Sequence, residues 1–106
     1  MSIYILNTPI LTDWGRYDFE KAPLSTVKII LRADGFISAV GHEGTASFMS
    51  RITGVNIPFN RMQVRMQTGD LAIVFRVLTR LPEGKILTDE ELSHVPYEFG
   101  LLRKVY

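Results

Sequence analysis

The stretch LAIVFRVLT, Leu71 to Thr79, limits the fold more than any other part of the chain. It is almost unbroken apolar sequence, with a turn (Thr68-Gly69-Asp70) before it and a loop (RLPEGK) after it. Such a run reads as a central strand of a sheet. A chain of 106 residues has room for one domain and one modest core. The remaining elements must therefore assemble around this strand.

Those elements alternate along the chain. IYIL (Ile3 to Leu6) is a short strand, and the connection NTPILTDWGRYDFEKAP after it is broken by Pro9, Gly15 and Pro23. Tyr17 and Phe19 alternate within that connection and suit a small edge strand. Ser25 reads as an N-cap, with Leu24, Val27, Ile30 and Leu31 at helical spacing and Gly35 as the stop. FISAV (Phe36 to Val40) is a strand, and a second helix runs from Gly44 to Gly54 with Ala46, Met49 and Ile52 on one side. In RMQVRM, Met62, Val64 and Met66 alternate with Arg61, Gln63 and Arg65, the pattern of a half-buried strand. Thr88-Asp89-Glu90-Glu91 is a T-x-x-E capping box, and YEFGLLRKVY reads as a last strand. The order β-α-β-α-β-β-α-β implies an α/β (α+β) fold. Residues 1–106 form a single small domain, a mixed five-stranded sheet with flanking helices.

Composition narrows the function classes. The net charge is +1, so no global field attracts nucleic acid, and any polyanion site must come from a local cluster of arginine and lysine. There is no cysteine, which excludes disulfides and thiolate metal sites and fits a reducing cytoplasm. Neither a signal peptide nor a membrane-spanning run is visible. The two histidines, His42 and His94, lack the spacing of a metal motif, so no metal is expected.

The polar residues then need placing. Arg76 and Arg80 lie four apart on the central strand, which puts both on one sheet face. Taken alone, they read as side chains that reach water or pair with a carboxylate. Glu83 follows Arg80 in the loop that leaves the strand end, where α/β sheets tend to build sites. His42 lies between Gly41 and Gly44, after a strand and before a helix. The helix amides there suit a phosphate, the glycines let backbone approach a ligand, and a histidine can donate a proton. On local grounds alone the better reading of His42 is a turn residue with its ring in water or on a neighbouring carbonyl. Trp14, Tyr17 and Phe19 can stack on bases or pack the first loop onto the sheet edge, the second being favoured. Asn56 and Asn60 are possible readers of a base edge.

ILNTPILT, ISAVGHEGTASF, IPFNR and GDLAIVFRVLTRLPEGKILTDEEL together resemble the viral ring nuclease family, the type III anti-CRISPR proteins and their bacterial relatives. The resemblance spans nearly the whole chain. The combination G-H-[DE]-x-T, then N-R, then R-L-x-E-G-K is specific, although each piece alone is weak. It implies a metal-independent homodimeric enzyme, with no cofactor, that cleaves cyclic tetra-adenylate. The family's active-site histidine falls on His42 and its assisting glutamate on Glu83. Phosphate-binding arginines fall on Arg80 and Arg61, and the ligand-contacting asparagine and threonine fall on Asn7 and Thr45. Viral members carry glutamine where this chain has Arg76, and two further polar ligand contacts of their first loop fall near Ile10 and Thr12, of which Ile10 cannot hydrogen-bond.

What the resemblance implies is chemically coherent. Each 2′-hydroxyl of the ring can attack its neighbouring phosphorus, so neither water nor metal is required. The attack needs in-line geometry, charge stabilisation on phosphate and a proton for the departing 5′-oxygen. His42 would give that proton and Glu83 would orient it. Arg61, Arg76, Arg80 and the amides beside Gly41 and Gly44 would hold phosphates. The expected setting is the cytoplasm of a prokaryotic host, with no membrane or DNA partner. Two other classes remain open: a protein that sequesters the cyclic nucleotide without cutting it, and a nucleic-acid-binding regulator of a mobile element.

Overall fold

The computed structural model describes residues 2–8, 13–33, 35–79 and 88–106. Five strands form one sheet: β1 (Ile3–Leu6), β2 (Tyr17–Ala22), β3 (Ile37–Ala39), β4 (Leu71–Val77) and β5 (Tyr97–Lys104). Three helices join them: α1 (Leu24–Ala33), α2 (Glu43–Thr53) and α3 (Asp89–Ser93). The sheet order is β2-β5-β4-β1-β3. β1 runs parallel to both β3 and β4, whereas β5 is antiparallel to β4 and to β2. The mixed five-stranded sheet with flanking helices is therefore the fold expected from the sequence.

The central strand behaves as its composition dictates. Leu71 through Phe75 are all buried, because both faces of β4 are covered. On one face Ile73 and Phe75 meet Ile3 and Ile5 of β1 and the apolar sides of α1 (Val27, Leu31) and α2 (Ala46, Phe48, Met49). Phe48, Phe75, Tyr97 and Phe99 form a ring cluster there, with neighbouring centroids 5.1–5.8 Å apart. On the other face Ala72, Val74, Leu6, Ala39 and Leu102 meet Val64 and Met66.

That second layer comes from RMQVRM, the segment whose alternation suggests a strand. Val64 and Met66 are buried as expected, but residues 61–66 belong to none of the five strands among the described residues. The segment is an extended strap laid across the sheet face, not a member of the sheet. Alternation reports which side chains are covered, and it says nothing about where the backbone hydrogen bonds go. The place in the sheet is taken by Tyr17–Ala22, the small edge strand seen in the first connection.

Local signals fix the ends of the elements. In the capping box, Thr88 N–H donates to Glu91 Oε1 (3.1 Å) and Glu91 N–H donates to Thr88 Oγ1 (3.2 Å). Gly54 closes α2 in the left-handed region, φ 72°, with its N–H on Ser50 O. α1 begins one residue before the proposed cap, so Ser25 lies in its first turn; Thr26 and Val27 donate to Pro23 O. At the sheet end away from the helix N-termini, Asp70 accepts from Ser2 N–H (2.8 Å) and Gln67 N–H (2.9 Å). There the buried Lys104 ammonium donates to Trp14 O (2.7 Å) and Tyr17 Oη, and Val105 N–H donates to Arg16 O. The first connection is also tied to the strap, where Arg65 donates to Asp13 Oδ1 at 2.8 Å. That hydrogen bond, reinforced by the charge of Arg65, holds the Asp13 carboxyl below the usual carboxylate range.

Candidate functional site

Because β1, β3 and β4 are parallel, their C-terminal ends open on one rim of the sheet. Asn7 directly follows β1, Gly41 and His42 follow β3 through Val40, and Arg76 lies near the end of β4. The topology thus gathers at one rim residues that are far apart in sequence.

His42 is the N-cap of α2, with extended backbone (φ −136°, ψ 119°). Its ring turns back over the helix start. Thr45 N–H donates to Nδ1 at 3.1 Å, and Thr45 Oγ1 lies 3.1 Å from the same nitrogen. The ring therefore does the work that serine or aspartate does at most helix starts. This differs from the turn reading, in which the ring meets water or a carbonyl. It also narrows which of the helix amides suit a phosphate. The Thr45 amide is taken by the ring, and the amides of Glu43 and Gly44 are the ones that helix geometry leaves without an intrahelical carbonyl.

The two glycines differ. A Cβ at Gly44 would stand 3.1 Å from Cε1 and 3.5 Å from Nδ1 of His42, so the ring occupies space that a side chain would crowd. A Cβ at Gly41 would make only ordinary contacts with Arg61, at 3.6 Å and beyond.

Arg61 is delivered by the chain that enters the strap. Residues 58–61 run beside the end of β3, with Val40 and Phe59 in a parallel bridge. Ser38 Oγ donates to Pro58 O (2.6 Å), Asn60 N–H donates to Val40 O (2.9 Å) and Asn60 Nδ2 donates to Ser38 O (2.7 Å). So pinned, Arg61 lays its stem on Gly41 and donates from Nη2 to Gly41 O at 3.3 Å. Asn60, named above as a reader of base edges, donates from Nδ2 in this anchoring and to Met62 Sδ (3.3 Å). Sequence reading missed this role, and also the role of Ser38. The only signal for either is their proximity to the G-H and N-R motifs.

Arg76 stands two strands away from β3. It lies on the face of Ala72 and Val74, as the two-residue period requires. Its Nη1 is 3.2 Å from Glu98 Oε1, directly across the β4–β5 ladder, and Lys21 Nζ is 3.8 Å from Glu98 Oε2. The pairing with a carboxylate considered from sequence is therefore realised, and Glu98 is a neighbour that motif spacing does not show. Lys21, Arg76 and Glu98 border an open depression over Gly100, with Phe19 at its side. The Phe19 ring sits where a side chain on residue 100 would be. Tyr17 packs on the strap side of the core, whereas Trp14 is fully exposed, contrary to the packing expected of it.

Arg80, Glu83, Ile10 and Thr12 lie outside the described residues. His42, Gly41, Gly44, Thr45 and Arg61 are brought together, with Asn7 at the end of the adjacent strand. Among the described residues no group of three or more histidine, cysteine, aspartate or glutamate side chains could hold a metal ion. Nor is any helix among them long and apolar enough to cross a membrane.

Comparison with known proteins adds the following. A family model described as STIV B116-like matches residues 3–99. Protein 26 of Sulfolobus islandicus filamentous virus is 36% identical over 108 residues, covering 97% of this chain and 92% of that protein. The protein YddF of Bacillus subtilis is 36% identical over 107 residues, covering 99% of each chain. The solved structure of B116 of Sulfolobus turreted icosahedral virus superposes with a TM-score of 0.82 at 23% identity, covering 97% of this chain and 99% of that one.

Proposed function

From the premise that the chain belongs to the STIV B116-like family, a family with viral and bacterial members, we propose that it is a ring nuclease. It cleaves cyclic tetra-adenylate without a metal ion, acts as a homodimer in the cytoplasm of a prokaryotic host, and so silences type III CRISPR signalling. One observation carries the reading furthest. Thr45 holds His42 by Nδ1, which leaves Nε2 as the atom available to a ligand, and the Arg61 guanidinium lies against the adjacent Gly41. A proton donor and a phosphate-binding cation on one rim are what the reaction requires.

In this mechanism a 2′-oxygen of the ring attacks the neighbouring phosphorus, and its proton passes to water. The bond from phosphorus to the 5′-oxygen breaks as the charged His42 ring gives its Nε2 proton to that oxygen. Arg61 and the amides of Glu43 and Gly44 offset the charge that builds on the phosphate oxygens. Arg80 would join them and Glu83 would orient the histidine, as the resemblance implies. One such cut opens the ring to linear tetra-adenylate, and a second at the opposite phosphate gives two linear di-adenylates, each ending in 2′,3′-cyclic phosphate. Arg76, already paired with Glu98, keeps further guanidinium donors for a phosphate.

A second reading rests on a specific observation. The capping bond gives His42 a structural reason to exist without chemistry, as in a protein that only sequesters the cyclic nucleotide. Incubation with cyclic tetra-adenylate in EDTA separates the two. Linear product is expected, and tight binding without product would replace the nuclease by the sequestering protein.

A further inference from the structure

We propose that Thr45 is a positioning residue for His42: its hydroxyl holds Nδ1 in both protonation states of the ring and reserves Nε2 for the substrate. This rests on the ring-nuclease reading of His42. The resemblance makes Thr45 a ligand contact, but the geometry gives it a different task.

Two groups of Thr45 converge on one ring nitrogen, the backbone N–H and Oγ1, each at 3.1 Å from Nδ1. They are not equivalent. An amide N–H only donates, so it bonds Nδ1 only while that nitrogen is bare. A hydroxyl both donates and accepts. When Nδ1 carries a proton, the amide opposes it and Oγ1 alone can take it. The residue as a whole is largely buried, and its hydroxyl stands 3.1 Å from the ring nitrogen.

This matters for the proposed step. A charged ring carries protons on both nitrogens. Giving the Nε2 proton to the 5′-oxygen leaves a neutral ring with its remaining proton on Nδ1. Both of those states need an acceptor at Nδ1. The resting neutral ring, with its proton on Nε2, instead needs a donor there. A side-chain hydroxyl serves all three states by rotating. Gly44 completes the arrangement, since a Cβ there would come within 3.1 Å of Cε1 and press on the ring. Glu43, in the first turn of α2, and Arg61, bonded to Gly41 O, are charged residues at this junction.

The test uses Thr45→Val, which keeps the amide and the volume but removes the hydroxyl, and Thr45→Ser, which restores it. In the free parent protein, long-range proton–nitrogen NMR should show the neutral His42 ring protonated on Nε2. Thr45→Val should bind cyclic tetra-adenylate within about twofold of the parent, while its single-turnover cleavage falls at least about tenfold, part of a general acid's contribution. Thr45→Ser should cleave within about threefold of the parent. Should Thr45→Val not fold, Thr45→Ala carries the same comparison. A neutral ring protonated on Nδ1 in the free protein overturns the proposal, as does parental cleavage by Thr45→Val. A loss of affinity that matches the loss of rate also overturns it, because that marks a ligand contact. A parent that yields no product at all overturns the nuclease reading instead, and the NMR result on the free protein still decides how the ring is held.

Discussion

In the proposed mechanism His42 uses its two ring nitrogens for different purposes, Nδ1 for the cap and Nε2 for the chemistry, and the two can be separated by substitution. Asparagine is a good N-cap but cannot supply the proton. His42→Asn should therefore keep the melting temperature near that of the parent while single-turnover cleavage drops by about two to four orders of magnitude. His42→Ala should lose the cap as well, about 1 kcal/mol of stability. Calorimetry beside a quenched cleavage assay makes the comparison, and parental cleavage by His42→Asn would remove the histidine from the chemistry. The place of His42 was legible in the sequence, since glycines and a helix start mark the junction. Its capping role was not, because histidine is rarely chosen for that position and nothing in the residue order says which way the ring turns. Thr45 stands three residues on, where a capping partner belongs, but a threonine there has many uses. Glu98 could not be seen as the partner of Arg76 without the register of β4 on β5.

At the level of elements, the strap is the instructive case. If residues 61–66 hold the second face of the sheet, the buried methionine matters and the exposed one does not. Met66→Ala should cost about 2–5 kcal/mol, and Met62→Ala should stay within about 0.5 kcal/mol of the parent. Denaturant titration distinguishes them, and equal small losses would mean that the strap is not packed on the sheet. The capping box and the Gly54 stop were readable because each is a local device with a local signature. The strand at Tyr17–Ala22 was readable only as a possibility. Most of its residues are exposed, so it lacks the strong pattern that burial writes into a sequence.

For the whole molecule, the apolar run at β4 announced a central strand, and the fold class followed from it. Helical spacing does not say which sheet face a helix covers. The packing of α1 and α2 on one face, with a strap on the other, was therefore beyond reach. The proposed dimer belongs to this scale. Cyclic tetra-adenylate has four-fold symmetry, which contains a two-fold axis, and an isologous dimer can share that axis. Sedimentation should give a species of twice the 12.0 kDa chain mass. The affinity for the cyclic nucleotide should fall with rising salt, since a local set of arginines supplies the attraction in a chain of net charge +1. A monomer that stays monomeric with ligand bound would exclude the shared axis.

The tethers at the opposite end of the sheet have a practical meaning. Ser2 is fastened there through Asp70, and Val105 and Tyr106 are fastened through Arg16. Both ends of the described chain therefore leave the domain on the side away from the rim that carries His42 and Arg61. A fluorophore, a biotin or a sensor chip attached at either end would leave that rim facing solution, so binding could be followed on immobilised protein without blocking the place proposed for it.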